Sequence, residues 1–276
     1  MGMEYLQFKQ PFWVLANKQY YKHTMMCGGI DHFYGFVAEG TDEKEISVPD
    51  GCVDIIFCCD EKNPYVKLMG TVTQAEEFGL VSGARYFGVR FLPGYYASMG
   101  PVGFHELPMG GIPLDDIIGV HGAYESIFLH QDFCCQVNIF MNEFCHGSLG
   151  QAISRQQNPI FQSVMQMILT EHGNISVKEL AEQTYYSERR IRDIFSSAMG
   201  ISLKQFSDIV RFQSLLSCLN ESGRKGQMNL ADLSVKMGYY DQAHMSKKFK
   251  EYSFYSPKKY ITKVYNVNYQ ELINLV

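Results

Sequence analysis

The sequence predicts an α+β chain: a β-rich N-terminal domain built as a cupin-like barrel or sandwich, a helical linker, and an all-α C-terminal domain with two helix-turn-helix units. Three observations carry this expectation. Short aromatic and β-branched runs, broken repeatedly by Gly and Pro, fill the first part of the chain. From Tyr124 onward apolar residues recur at helical spacing. The last third then repeats itself with a constant offset of 54 residues. The expected boundaries are 1–118 for the β-rich domain, 119–157 for the linker or dimerisation segment, 158–266 for the second domain and 267–276 for a C-terminal tail. The 276 residues are enough for two domains with a core each.

The strands come first. Ile46-Ser47-Val48 stops at Pro49-Asp50-Gly51, where Gly supplies the permissive backbone of a turn. Cys52 to Cys59 reads as a buried strand, followed by a polar turn over Asp60 to Pro64. Tyr86 to Phe91 is another strand, stopped by Pro93-Gly94. In the linker, Cys134, Val137, Met141 and Phe144 fall at spacings that place them on one helical face, a core face or a dimer face. Pro159 opens a helix expected to run to His172, with Gly173 as the stop. The remainder reads as helical to about Val264.

Composition narrows the class. Apolar residues at 46% and charged residues at 19% indicate a folded chain. No apolar run reaches the roughly 18 residues of a membrane span, and the first residues lack the basic-then-apolar pattern of a secretory leader, so the expected location is the cytoplasm. The eight cysteines form no CxxC unit, which removes support for a zinc ribbon or a thioredoxin-like site; they read mainly as small buried hydrophobes. The net charge of -5 divides unevenly, with -10 in residues 1–173 and +5 in residues 174–276. A basic module behind an acidic one is the footprint of a DNA reader attached to another domain.

Within the basic module, Ile175 to Phe195 and Asn229 to Phe249 are two copies of one pattern. Each has a short helix holding a Leu and a small residue, Leu180-Ala181 and Leu233-Ser234. Each then has a turn ending in a helix cap, Ser187 and Asp241, and a second helix with inward apolar residues: Ile191, Ile194 and Phe195 in one, Met245 and Phe249 in the other. That order is helix-turn-helix architecture. A helix over 202–219 connects the copies; 18 residues would span about 27 Å, close to the ~34 Å between successive major-groove segments on one DNA face.

The region resembles the DNA-binding domain of the AraC/XylS family of transcription regulators. The likeness lies in Gly238-Tyr239-Tyr240-Asp241-Gln242-Ala243-His244, Phe249-Lys250 and Ser256-Pro257-Lys258-Lys259-Tyr260. Phe206, Arg211, Leu215 and Leu216 are similar to the family's connecting helix. Phe254, where Gly is usual, Leu203, where Pro is frequent, and Lys248, where Arg is more usual, depart from it. The resemblance implies contact with double-stranded DNA through Arg189, Arg190 and Arg192 on the first recognition helix. On the second it implies Gln242, His244, Ser246 and Lys247. Arg192 lies one turn from Arg189, which favours a base contact, whereas Lys247, near Lys248 and Lys250, suits the phosphate backbone. The alternative for any of these side chains is a solvated helix face.

The N-terminal part, through Pro49 to Phe57, Gly88 to Gly94 and Leu114 to Ile117, is similar to sensor-type domains found ahead of such readers. That likeness implies a small effector or a homodimer as the input and RNA polymerase as a further partner. Activation is the commoner outcome in the family. Asp54 lies in an apolar strand and needs a partner if it faces inward; Arg90 on the later strand is the candidate. The pair reads either as a structural ion pair or as the lining of an effector pocket. His130 and Cys134 stand four apart, with His146 further on, too few ligands for a metal site. No Gly-rich phosphate loop, GxSxG elbow or HExxH occurs, and no cysteine lies in a Pro-Cys-His-Arg context. The expectation is a protein without cofactor that is not an enzyme, its rivals being an enzymatic N-terminal domain on a DNA reader and an interaction module.

Overall fold

A seven-stranded sheet forms the centre of the N-terminal part. It comprises β1 (Tyr20–Thr24), β2 (Ile30–Val37), β4 (Val53–Cys59), β5 (Tyr65–Met69), β7 (Arg85–Phe91), β9 (Ile112–Pro113) and β11 (Ile273–Leu275). The order is linear, β11-β1-β2-β7-β4-β5-β9. Two ribbons accompany it, β3 (Ile46–Ser47) with β6 (Glu76–Glu77) and β8 (Tyr95–Ala97) with β10 (Ile153–Arg155). This computed structural model describes residues 6, 8–17, 19–25, 27–39, 45–97, 110–118, 124–147, 153–155, 157–222, 229–266, 269 and 271–276. No helix among them is long and apolar enough to cross a membrane.

The middle of the sheet is buried on both faces, which explains why the Cys52 to Cys59 run is apolar at every position but Asp54 instead of alternating. All seven residues of β4 are buried. Phe33, Ile55, Phe57, Phe87 and Val89 meet the helices α3 (Glu125–Leu129) and α4 (Phe133–His146) on one face. Tyr34, Phe36, Ile56, Cys58 and Tyr86 belong to the other cluster, together with Phe12, Trp13 and Val14 of α1 (Pro11–Ala16) and with helices from the far end of the chain.

Helix α4 bears out the helical reading of the linker but shifts its stripe. The buried face is Phe133, Val137, Phe140 and Phe144, with Gln136 donating to the carbonyl of Ile127. Cys134 is exposed, because the Asp132 cap, which accepts from the Cys135 amide, starts the helix so that Phe133 is the first inward residue. The cysteine expectation holds for Cys52, Cys58 and Cys59 and fails for Cys27, Cys134, Cys135 and Cys145, which are exposed. All eight are free thiols. Among the described residues no group of His, Cys, Asp and Glu could hold a metal ion.

The apolar clusters cross the boundary that composition marks. Phe8 and Cys52 pack with Phe161, Ile168 and Phe195, and Phe12 stacks on Tyr255 with ring centroids 5.2 Å apart. The C-terminal tail joins the sheet as well: β11 pairs in parallel with β1, Tyr20 opposite Ile273 and Lys22 opposite Leu275. Composition gives no sign of that strand, since three residues are too few for a periodic signal.

Candidate nucleic-acid interface

Among the described residues, seven helices make the C-terminal part: α5 (Pro159–Thr170), α6 (Val177–Thr184), α7 (Glu188–Met199), α8 (Leu203–Ser222), α9 (Leu230–Lys236), α10 (Gln242–Ser253) and α11 (Pro257–Asn266). The starts and stops follow local chemistry. Asn158 caps α5, accepting from the amides of Ile160 and Phe161, with Pro159 at its first position. Ser176 and Glu179 form a reciprocal capping box on α6. Ser187 accepts from the Arg190 amide and Asp241 from the His244 amide, as the sequence pattern requires. Gly200 closes α7 in the left-handed region at φ 69°, a conformation open to Gly at little cost.

Helices α6 and α7 form the first helix-turn-helix unit, and α9 and α10 form the second. Ile191, Ile194 and Phe195 of α7 face the core formed with α5 and α8, and Met245 and Phe249 of α10 are fully buried. The opposite faces are open. Arg189, Arg190, Arg192, Gln242, His244 and Lys247 are exposed, and Ser246 is half-buried. Arg189 is nearly free, its guanidinium 3.9 Å from Asp193. Arg192 donates to Glu188 at 2.8 Å, an exposed pair of small energetic weight that a stronger acceptor could displace. His244 sits edge-on against Tyr239.

The connecting helix α8 has 20 residues, about 30 Å at 1.5 Å per residue, slightly longer than the sequence pattern implies. Arg211, one of its residues, ties the two units together. It donates to the carbonyl of Gly173 at 2.9 Å, lies 3.5 Å from Asp208 and stacks over the ring of Tyr239 at 5.7 Å. Close approach fixes the same junction from both sides. A Cβ on Gly173 would fall 2.2 Å from the Ser207 carbonyl oxygen, and one on Gly238 would fall 2.2 Å from the Asn174 side chain.

Sequence reasoning passed over two aromatic side chains. Tyr185 is 95% exposed and Tyr240 is 90% exposed, each in the turn before a recognition helix. The duplicated Tyr-Tyr pair was the available signal, but nothing in the sequence says that both tyrosines of the first pair are exposed while Tyr239 of the second is buried.

The polar residues of the N-terminal part are brought together as a buried group. Arg90 grips Asp54 with two hydrogen bonds of 3.0 and 2.9 Å and lies 3.0 Å from Asp50. They are direct cross-strand neighbours, Asp54 opposite Arg90 in the β4–β7 register. Burial pushes the Asp54 carboxyl upward while Arg90 opposes the shift, and the bidentate geometry favours the ionised pair. Asp50 also accepts from Gln10 at 2.7 Å. Gln213 of α8, fully buried, donates to the carbonyls of Pro49 and Lys9 and accepts from the Lys9 amide. The turn at Pro49-Asp50-Gly51 therefore touches the connecting helix directly. Gly51, at φ 74°, leaves no room for a Cβ beside the Phe206 ring.

Two helix-turn-helix units on one connecting helix define a class of nucleic-acid-reading fold. Residues 180–263 match the family model described as "Helix-turn-helix domain", and residues 26–109 match "Domain of unknown function (DUF6597)". An uncharacterized HTH-type transcriptional regulator of Haemophilus influenzae is 32% identical over 84 residues, 30% of this chain. The chain spans only 27% of that relative's length. The DNA-binding domain of AdpA, solved with a target DNA, is 18% identical over 41% of this chain and 99% of its own, with a TM-score of 0.36. ToxT of Vibrio cholerae is 10% identical over 84% of this chain and 97% of its own, with a TM-score of 0.44. The C-terminal part of this chain, over residues 180–263, is a helix-turn-helix domain.

Proposed function

We propose that this chain is a sequence-specific, double-stranded-DNA-binding transcription regulator, acting as an activator in the cytoplasm under the control of its N-terminal domain. The observation that supports this most is the pair of helix-turn-helix units held together by Arg211, with basic and polar residues exposed on both recognition helices. Arg189, Arg190 and Arg192 read one major-groove segment or its flanking phosphates. Gln242, His244, Ser246 and Lys247 read the next. Tyr185 and Tyr240 flank the two helices and pack on the sugar–phosphate backbone.

The control runs through the seam between the sheet and the connecting helix. A small effector, or pairing of two copies, shifts the turn around Asp50. Gln213 passes that shift to α8, and with it to the recognition helices. Asp54 and Arg90 take part by holding Asp50 in place, whether or not they also meet the effector. RNA polymerase is the partner through which activation acts, and no cofactor is required. The test is selection from a random duplex pool at low salt. A consensus of two half-elements is the expected product, with affinity falling steeply as salt rises. Retention of no sequence at any salt would overturn the reading.

A further inference from the structure

The two units carry their charge differently. Over equal stretches related by the 54-residue offset, residues 175–212 hold six basic and five acidic side chains, a net +1, whereas residues 229–266 hold seven and three, a net +4. The recognition helices repeat the contrast at close range. On α7 two of the three arginines are backed by a carboxylate of the same helix: Arg192 donates to Glu188 at 2.8 Å, and Arg189 lies 3.9 Å from Asp193. On α10 the one carboxylate, Glu251, pairs with Lys248, whose ammonium leans over the Tyr252 ring. Lys247 and Lys250 of the same helix are exposed and have no ion-pair partner among the described residues. The arginines, the side chains best shaped to read guanine, thus sit where attraction for phosphate is offset.

We propose, resting on the DNA-binding reading, that Glu188 and Asp193 are specificity-determining residues. By neutralising Arg192 and Arg189 they deny the first unit a general attraction for the DNA backbone, so that it engages only where guanine edges meet the arginines. Backbone attraction is electrostatic, and a carboxylate 2.8 Å from a guanidinium both offsets its charge and repels an incoming phosphate. Guanine makes a different demand. It takes two aligned N–H donors and needs no net charge; a guanidinium has five such donors, of which Glu188 occupies one. Both pairs are open to solvent, so they add little to stability. What they change is which DNA the first unit accepts. The second unit, with Lys247 and Lys250 uncompensated, supplies the sequence-independent hold.

The test uses the full chain and single substitutions at solvent-open carboxylates. Glu188→Gln and Asp193→Asn remove the two offsetting charges. Glu182→Gln on α6 is the control, taking the same charge from the same unit but off the recognition helix. Circular dichroism and the melting temperature check that each variant folds. Affinity is measured by fluorescence anisotropy on the duplex recovered by selection and on a scrambled duplex, across a salt series. Glu188→Gln should tighten binding to scrambled DNA about tenfold at low salt and move the selected duplex by less than about threefold, so that the preference falls. On scrambled DNA the slope of log affinity against log salt should steepen by about one. Asp193→Asn should act in the same direction but only about threefold, since its pair is looser. Glu182→Gln should leave the preference unchanged.

A preference that stays at the wild-type value in both Glu188→Gln and Asp193→Asn overturns the proposal while the DNA reading stands. So does a loss of affinity confined to the selected duplex, which would make Glu188 itself a base reader, its carboxylate accepting from cytosine. Equal tightening on both duplexes, matched by Glu182→Gln, would reduce the effect to net charge and overturn the proposal as well. If the wild-type chain binds no duplex, the DNA reading fails and the proposal fails with it.

Discussion

The two helix-turn-helix units descend from one pattern, yet they solve its turns differently. Where the second unit has Gly238 at φ 69°, the first has Thr184, and the left-handed residue moves to Tyr185 at φ 60°. Where the first unit ends its recognition helix on Gly200, the second ends on Phe254 at φ 62°. Each unit thus carries one glycine and one strained bulky residue at equivalent demands on the backbone. The surroundings explain the choice in part. Gly238 is forced by the Asn174 side chain pressed against it, whereas Tyr185 is open to solvent and meets no such wall. The tyrosine pairs diverge with the turns: Tyr239 is buried beneath Arg211, its hydroxyl pushed well above the ordinary tyrosine range by burial, while Tyr185 stands free. The second unit is locked into the junction by its turn, and the first presents its turn outward.

The largest effect should come from breaking that junction. Gly173→Ala places a Cβ against the Ser207 backbone in a left-handed conformation, where neither side can yield cheaply. A loss of about 3 kcal/mol or more is expected in denaturant unfolding, from strain and steric conflict combined. An unchanged midpoint would mean that the two units are not held together at this point.

Next in size is the contrast between recognition helices. Arg192→Ala should cost about 1–3 kcal/mol on the selected site and much less on scrambled DNA if Arg192 pairs with guanine. Lys247→Gln should weaken both DNAs alike and lower the salt slope by about one unit, as a backbone contact does. Equal effects from both substitutions on both DNAs would erase the distinction between the helices.

Tyr185→Gly removes the left-handed penalty at an exposed site and should stabilise the chain by about 1 kcal/mol. The same change should reduce DNA affinity, because the exposed ring is retained at a cost to stability. A gain in stability with no loss of binding would leave Tyr185 without a role. Phe254→Gly, its counterpart in the second unit, should gain less, about 0.5 kcal/mol, since the half-exposed ring keeps some apolar contact that Gly gives up.

The helices and their caps were legible in the sequence because capping and apolar spacing are local signals. Ser187, Asp241, Pro159 and Gly173 announce their helix ends within a few residues, and α7 and α10 bury the residues their spacing indicates. The pairing of Asp54 with Arg90 was legible too, from the cost of leaving a carboxylate unpaired in an apolar strand. What escaped depends on distant contacts. The stripe of α4 keeps Val137 and Phe144 but takes Phe133 and Phe140 in place of Cys134 and Met141, because the sheet, not the helix, decides which face is wanted. Gln213, buried against Lys9 and Pro49, looks like any polar residue of an exposed helix until the N-terminal segment is placed on it. The tail strand β11 likewise exists only once segments far apart in sequence have met.

On the proposed function, both units read DNA together at a spacing set by the connecting helix. Hydroxyl-radical footprinting of the full chain on its selected duplex tests it most directly. Two protected segments on one face of the duplex, centred about one helical turn apart, are the predicted result. Both should weaken together when Arg211 is replaced by Ala. A single protected segment, unaffected by that substitution, would mean that the two units do not read DNA together.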